Sequence, residues 1–342
     1  MKTDPASEEE LEDALSRPPD WLVKRQRGLE GDILVLGAGG KMGPTMARMA
    51  RRAADLAGLS RRVIAVSRFS DAAARTRLEA YGVETIACDL LEEEALASLP
   101  DAPNVIYLAG MKFGTSGNEA LTWAMNTWLP GLACRRWRHS RVVALSTGNV
   151  YGLVSADSGG SLETDTPEPV GEYAMSCLGR ERMFQHFSER LGIPTALVRL
   201  NYAAEPRYGV LADIARKVWG KHPVDVTMGR FNTIWQGDAN AMILGLLGEA
   251  RVPAEIYNLT GANSLSTREI AEVFGREFGK PVTFTGRKST TALLSDSRKI
   301  HEIFGEPQVG VRQMLERICD WIANGGGDHG KPTHFEVRDG KF

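Results

Sequence analysis

Cysteine is scarce and scattered. Cys88, Cys134, Cys177 and Cys319 stand far apart in 342 residues with no CxxC pair, so neither a disulfide framework nor a paired-cysteine zinc site is expected. Net charge is nearly absent too: 41 basic against 43 acidic side chains leave −2, which gives no electrostatic ground for a nucleic-acid or anionic-membrane partner. No apolar run reaches the length of a membrane span, and the opening MKTDPASEEELEDALSR is too polar and acidic for a signal peptide, so a soluble cytoplasmic protein is expected. The histidines show no ligand spacing; His301-Glu302 lacks the second histidine of HExxH, and no metal site is expected. The sequon Asn258-Leu259-Thr260 reads as chance in a cytoplasmic chain, and no internal repeat or low-complexity segment stands out.

What is present is an ordinary globular composition, 43% hydrophobic and 25% charged, long enough for one large α/β domain or a domain with a smaller lobe. The chain is organised around GDILVLGAGGKMG, residues 31–43. Ile33-Leu34-Val35-Leu36 is an unbroken apolar run of the kind buried on both faces of a parallel sheet. Gly37, Gly40 and Gly43 follow at three-residue spacing, and a helix-forming stretch continues to Ala54. Strand, glycine turn and helix N-terminus together make an anion site suited to a dinucleotide pyrophosphate, here in GxxGxxG form, with Lys41 and Met42 between the last two glycines.

Further strands are predicted at 63–66, 84–87, 104–110, 141–145 and 195–200, with helices over 71–81, 92–99, 119–138 and 173–190 between them. Short apolar strands alternating with helices predict a doubly wound parallel sheet. At the tip of the second strand, Ser67 and Arg68 stand where an acid would bind the 2′-hydroxyl of NAD; with Lys41 in the turn, they point to NADP, with NAD as the alternative. Asp89, before Leu90, either accepts the adenine amino group or caps the next helix. The fourth strand runs through Leu108 and ends in the small residues Ala109-Gly110, where backbone must pass close to a cofactor, and Lys112 follows. Trp123, Trp128 and Trp137 share one predicted helix, as core packing or as a dimer interface. Ser7-Glu8-Glu9-Glu10 predicts a capped helix in an appended arm, packed on the body or on a partner subunit. After about 203 the rhythm breaks into a smaller lobe, with a strand at 256–259 and a helix capped at Ser266.

These motifs resemble, in order, the extended short-chain dehydrogenase/reductase family of nucleotide-sugar epimerases and dehydratases. GAGGKMG (37–43) is similar to its glycine turn, VIYLAGMK (105–112) to its fourth strand, Asn126 to its helix asparagine, and LSTGNVYG (145–152) to its Ser/Thr turn. EYAMSCLGRE (172–181) is similar to its tyrosine helix, and FNTIWQGDANA (231–241), YNLTGANSLSTREIA (257–271) and LLSDSRKIHEIFG (293–305) to later segments, so the likeness spans about 31–323. It implies a Rossmann-type domain (31–202) and a largely C-terminal substrate lobe (203–330) interleaved with the sheet; outside the likeness stand the N-terminal helical arm (1–30) and a polar, aromatic tail (331–342), too short to fold alone and expected to lie against the body or a neighbour. It also implies Tyr173 as acid/base, Thr147 on the same substrate oxygen, and a homodimer paired through helices 119–138 and 173–190. Cofactor contacts are implied for Gly37, Gly40, Lys41, Met42, Gly43, Ser67, Arg68, Asp89, Leu90, Leu108, Ala109, Gly110, Lys112, Asn126, Tyr173 and Cys177, and carbohydrate-substrate contacts for Thr147, Asn149, Asn201 and Trp235.

Two departures matter. The family's lysine, four residues after the tyrosine, is replaced by Cys177. Bringing a phenol from pKa about 10 to about 7 takes about 4 kcal/mol, to which a neutral thiol contributes little. Lys112 is the first substitute cation, and Arg180, about 10 Å further along the helix, the second. Gly148 and Asn149 stand where sugar 4,6-dehydratases carry their acid and base, so elimination by that route is not expected.

Overall fold

A computed structural model describes residue 5, residues 7–112, 114 and 117–340. The arm forms α1 (Glu8–Leu15), whose Ser7 side chain accepts from the Glu10 N–H, and α2 (Asp20–Gln26). Leu11, Leu15 and Leu22 are fully buried, and Arg52 bonds Asp13 at 2.8 Å, so the arm packs on its own chain. The part of the arm at residues 1–4 and 6 lies outside the described residues.

Next come β1 (Ile33–Leu36), α3 (Gly43–Leu56), β2 (Val63–Ser67), α4 (Ala72–Ala80), β3 (Glu84–Ala87), α5 (Glu93–Ser98) and β4 (Asn104–Tyr107). The long helix expected over 119–138 is instead three pieces: α6 (Glu119–Trp123), a π turn (Ala124–Trp128) and α7 (Leu129–Arg136). Pro130 has no N–H to give the Asn126 carbonyl four residues back, and the chain widens there, with Leu129 N–H bonding Ala124 O five residues back. Then follow β5 (Arg141–Thr147), β6 (Val154–Ser155), α8 (Gly171–Leu191), ended by Gly192 at φ 69°, and β7 (Thr195–Leu200).

The remaining elements are mostly short: β8 (Ala203–Ala204), α9 (Val210–Trp219), β9 (Val224–Asp225), β10 (Arg230–Phe231), β11 (Ile234–Trp235) and α10 (Gln236–Gly245). They are followed by β12 (Glu255–Leu259), β13 (Leu265–Ser266), α11 (Thr267–Phe278), β14 (Phe284–Thr285), β15 (Thr291–Ala292), α12 (Arg298–Phe304) and α13 (Val311–Ala323).

Seven strands form one parallel sheet in the order β12-β7-β5-β4-β1-β2-β3. The order reverses between β1 and β4, and in such sheets the ligand crevice opens at that point, beyond the strands' C-terminal ends. Alternate β1 side chains serve two cores: Ile33 and Val35 pack with α3 and α10, while Leu34 and Leu36 pack toward α7 and α8. A third core fills the lobe, where Leu11 and Leu15 of the arm and Phe335 of the tail join Phe231, Phe274 and Trp235.

Candidate functional site

The turn after β1 begins at Gly37, φ +83°, where a Cβ would stand 2.6 Å from the Ala109 nitrogen. Only glycine lets this turn lie so close to the β4 exit. A Cβ on Gly43 would stand 2.3 Å from the Ala38 carbonyl oxygen, so this glycine seats α3 against the turn. Gly40 differs: it is exposed, and its Cβ would meet only the Gly37 carbonyl oxygen at 3.4 Å. No side chain caps the α3 N-terminus. An open glycine backbone beside uncapped helix N–H groups is the shape a dinucleotide diphosphate fits.

Around this crevice, Arg68 is exposed and Ser67 half-buried at the β2 tip, and Gly110 is exposed at the β4 exit. Asp89 is exposed and accepts the Leu91 N–H at 3.1 Å, which braces its own turn; Glu92, not Asp89, stands at the N-cap of α5. The Lys41 ammonium, in the glycine turn, donates to Ala203 O at 3.1 Å and lies 3.8 Å above the Tyr208 ring, whereas Arg68 stands exposed at the β2 tip. Burial pushes Lys41 down to about 7 against the pull of Glu205, and Lys112 down to about 8 against Cys177 and Asp213.

At the other side of the crevice, β5 ends in Thr147, which caps the short 148–150 turn through a 3.2 Å bond from Asn149 N–H. The Thr147 hydroxyl and the Cys177 thiol both engage the half-buried phenol of Tyr173, in the first turn of α8. Burial and Cys177 raise the Tyr173 pKa well above the usual 10, while Arg180 and Thr147 pull it down. Both candidate cations act in this region, Arg180 on Tyr173 and Cys177, and Lys112 on Cys177 and Asp213.

Four of the expected contact residues are enclosed by the protein's own side chains. Cys177 is fully buried with Val150 and Tyr151, and burial raises its thiol pKa. Asn126 is fully enclosed: its amide bonds Met111 O and Ser176 Oγ, and its carbonyl oxygen accepts from Met111 N–H and Arg180. Asn201, 2% exposed, bonds Asn232 Oδ1 at 2.9 Å, tied into the turn by the lobe. Trp235 is enclosed in the lobe core because β11 pairs with β8.

Behind the site lies a polar chain that no sequence motif announced. Ser146 Oγ donates to Glu181 Oε1 at 2.5 Å, Arg199 pairs with Glu181 at 2.7 Å with both side chains buried, and Arg199 Nη1 donates to the Tyr151 hydroxyl, which donates to Asn258 Oδ1. Four of its members come from β5, α8, β7 and β12, and Tyr151 from the segment after the 148–150 turn.

The profile of the NAD dependent epimerase/dehydratase family matches residues 33–227, which hold the glycine turn, Thr147 and Tyr173. The chain belongs to this family. Its fold is that of the family's solved structures: a UDP-glucuronic acid 4-epimerase from Bacillus cereus, in complex with UDP-glucuronic acid and NAD, is 18% identical with a TM-score of 0.70, over 85% of this chain and 99% of that one. A dTDP-glucose 4,6-dehydratase from Streptomyces venezuelae, with NAD and TYD bound, is 19% identical with a TM-score of 0.73, over 86% and 97%. A search of curated proteins finds no significant match. No helix among the described residues of this family member is long and apolar enough to cross a membrane.

Proposed function

We propose that this chain is an oxidoreductase or epimerase acting at a hydroxyl or carbonyl of a sugar, sugar acid or nucleotide sugar, with Tyr173 as the proton-exchanging group. The observation that carries the reading is the Thr147 hydroxyl on the Tyr173 phenol at the C-terminal end of β5, across the crevice from an open glycine turn. The turn 37–43 would hold the diphosphate, Ser67 and Arg68 the adenosine ribose, and 108–110 the nicotinamide end. When bound, the dinucleotide supplies hydride transfer.

Thr147 orients the substrate oxygen, and Tyr173 gives or takes its proton. Arg68 favours NADP over NAD, while the structures compared above were solved with NAD, so the two are to be titrated side by side. Gly148 and Asn149 bring no carboxyl beside Thr147, which favours hydride transfer over elimination; the fold, shared with dehydratases, does not separate the two. A second reading, a dinucleotide-binding protein without turnover, is favoured by the phenol's raised pKa. Calorimetric titration with NADP and NAD tests both, and binding of neither overturns both. Turnover that disappears in Tyr173→Phe selects the first.

The pairing of two copies is part of the same proposal. Trp128 is 57%, Leu121 46% and Met175 39% exposed on α6, the π turn and α8, and Trp123 Nε1 donates to Glu172 across them at 2.5 Å. Exposed aromatics and methionine on a joined helix face suit an isologous homodimer.

A further inference from the structure

A half-buried phenol that exchanges protons needs a cation to hold its anionic form within reach, and position 177 offers only a thiol. Arg180, two helical turns beyond Tyr173, is 6% exposed and its guanidinium is fixed at two points. Nη1 donates to the Leu145 carbonyl at 2.8 Å, two residues before Thr147, and Nη2 to Asn126 Oδ1 at 2.6 Å. Both anchors are built for it. Asn126 sits in the π turn and is held from its other side by Met111, while the absence of a side chain at Gly110 makes room: a Cβ there would lie 2.1 Å from Nη2. Nε is buried without a partner among the described residues, and the group's centre lies 6.0 Å from the centroid of the Tyr107 ring.

We propose that Arg180 is the positioning cation of this site, held between β5 and the π turn by Leu145 and Asn126 so that its charge sets the acidity of Tyr173. The inference deepens the function proposed above and rests on Tyr173 being the proton-exchanging group. The electrostatics agree in sign: Arg180 lowers the pKa of both Tyr173 and Cys177, against the burial that raises them. The position also explains how the chain tolerates a thiol at 177, since the cation enters from further along the helix and from above the β4 exit.

The test reads the phenol directly, with no substrate or cofactor. In protein labelled with 3-fluorotyrosine, the Tyr173 fluorine signal is assigned by its loss in Tyr173→Phe and followed against pH by NMR. Arg180→Gln is expected to move its titration upward by about 1–2 units, and Cys177→Lys in the Arg180→Gln background to bring it back. An unchanged titration in a folded Arg180→Gln protein overturns the inference, as does a double variant that stays shifted. If Arg180→Gln does not fold, Arg180→Met is read in its place: it too removes the charge, so the titration is expected to rise, and no movement in the folded protein overturns the inference. NADP and NAD binding, measured separately, tells a failure of the functional proposal from a failure of this one.

Discussion

At the scale of single residues, the glycines of the turn separate folding from binding. Gly37→Ala places a Cβ against the Ala109 backbone at positive φ, and a loss of about 1–2 kcal/mol from the backbone alone is expected in urea unfolding, before the clash is counted. Gly40→Ala meets no such obstacle, so it is expected to melt within a few degrees of the parent while binding NADP or NAD at least about tenfold more weakly in calorimetry. Lys41 gives a pH signature. Its folded pKa, about 7, lies below the usual 10.5, so between those values the unfolded chain binds more protons and the residue's contribution to stability rises with pH. Compared with Lys41→Met, the parent is therefore expected to gain in urea stability from pH 7 to 10; a constant difference would contradict it. The glycine turn was legible because spacing encodes a turn, whereas Tyr173 and Thr147 were expected only from the family resemblance. Lys112 ranked above Arg180 because the end of the fourth strand is expected to border the nicotinamide ribose; which carbonyls anchor the Arg180 guanidinium was not legible, since they lie 35 and 54 residues away in sequence.

At the scale of elements, strand boundaries were legible from apolar runs between turn residues, and β1, β3 and the capped start of α11 fall where the pattern placed them. The break at 124–128 was not, since Ala, Met, Asn, Thr and Trp are unremarkable in a helix and only the missing N–H of Pro130 hints at a widened turn. Nor could the Ser146–Glu181–Arg199–Tyr151–Asn258 chain be read, because its residues come from four separate elements and a connecting segment, and acquire meaning only when the sheet closes. Removing one partner of a buried ion pair strands the other charge, so Arg199→Met is expected to cost about 3–5 kcal/mol in urea unfolding. Glu181→Leu in that background is expected to recover part of the loss, because no buried charge is then left alone. A double variant weaker than the single one would show that the chain is held by something other than this pair.

At the scale of the whole molecule, both ends of the chain converge on one turn. Glu12 of α1 pairs with Arg207 at 2.7 Å, and His329 Nε2 lies 3.1 Å from Glu205, a buried carboxylate. Burial raises the Glu205 pKa, but the His329 hydrogen bond, Arg207 and Lys41 outweigh it and hold the group at about 2. The tail then runs along the lobe and back to the site: Thr333 donates to Asp213, Phe335 is buried beside Phe231, Arg338 donates to Thr291 O, and Gly340 reaches α8, where a Cβ on Gly171 would lie 2.4 Å from the Gly340 carbonyl oxygen. Its last two residues, Lys341 and Phe342, lie outside the described ones. Ending the chain after Gly330 is expected to cost about 3–5 kcal/mol, the scale of a lost buried phenylalanine, in urea unfolding. For the assembly, sedimentation is expected to give a dimer at micromolar concentration and a monomer for Trp128→Glu; a monomeric parent would refute the pairing.

The closeness of Gly340 to Gly171 has a practical side. Gly171 is two positions from Tyr173, so a dye attached at the exposed Asp339 would sit near the first turn of α8 and the proposed site. Its emission would follow occupancy of the crevice in real time, giving a way to screen ligand libraries before any turnover assay exists. For the same reason, a bulky purification handle is better placed at the opposite terminus.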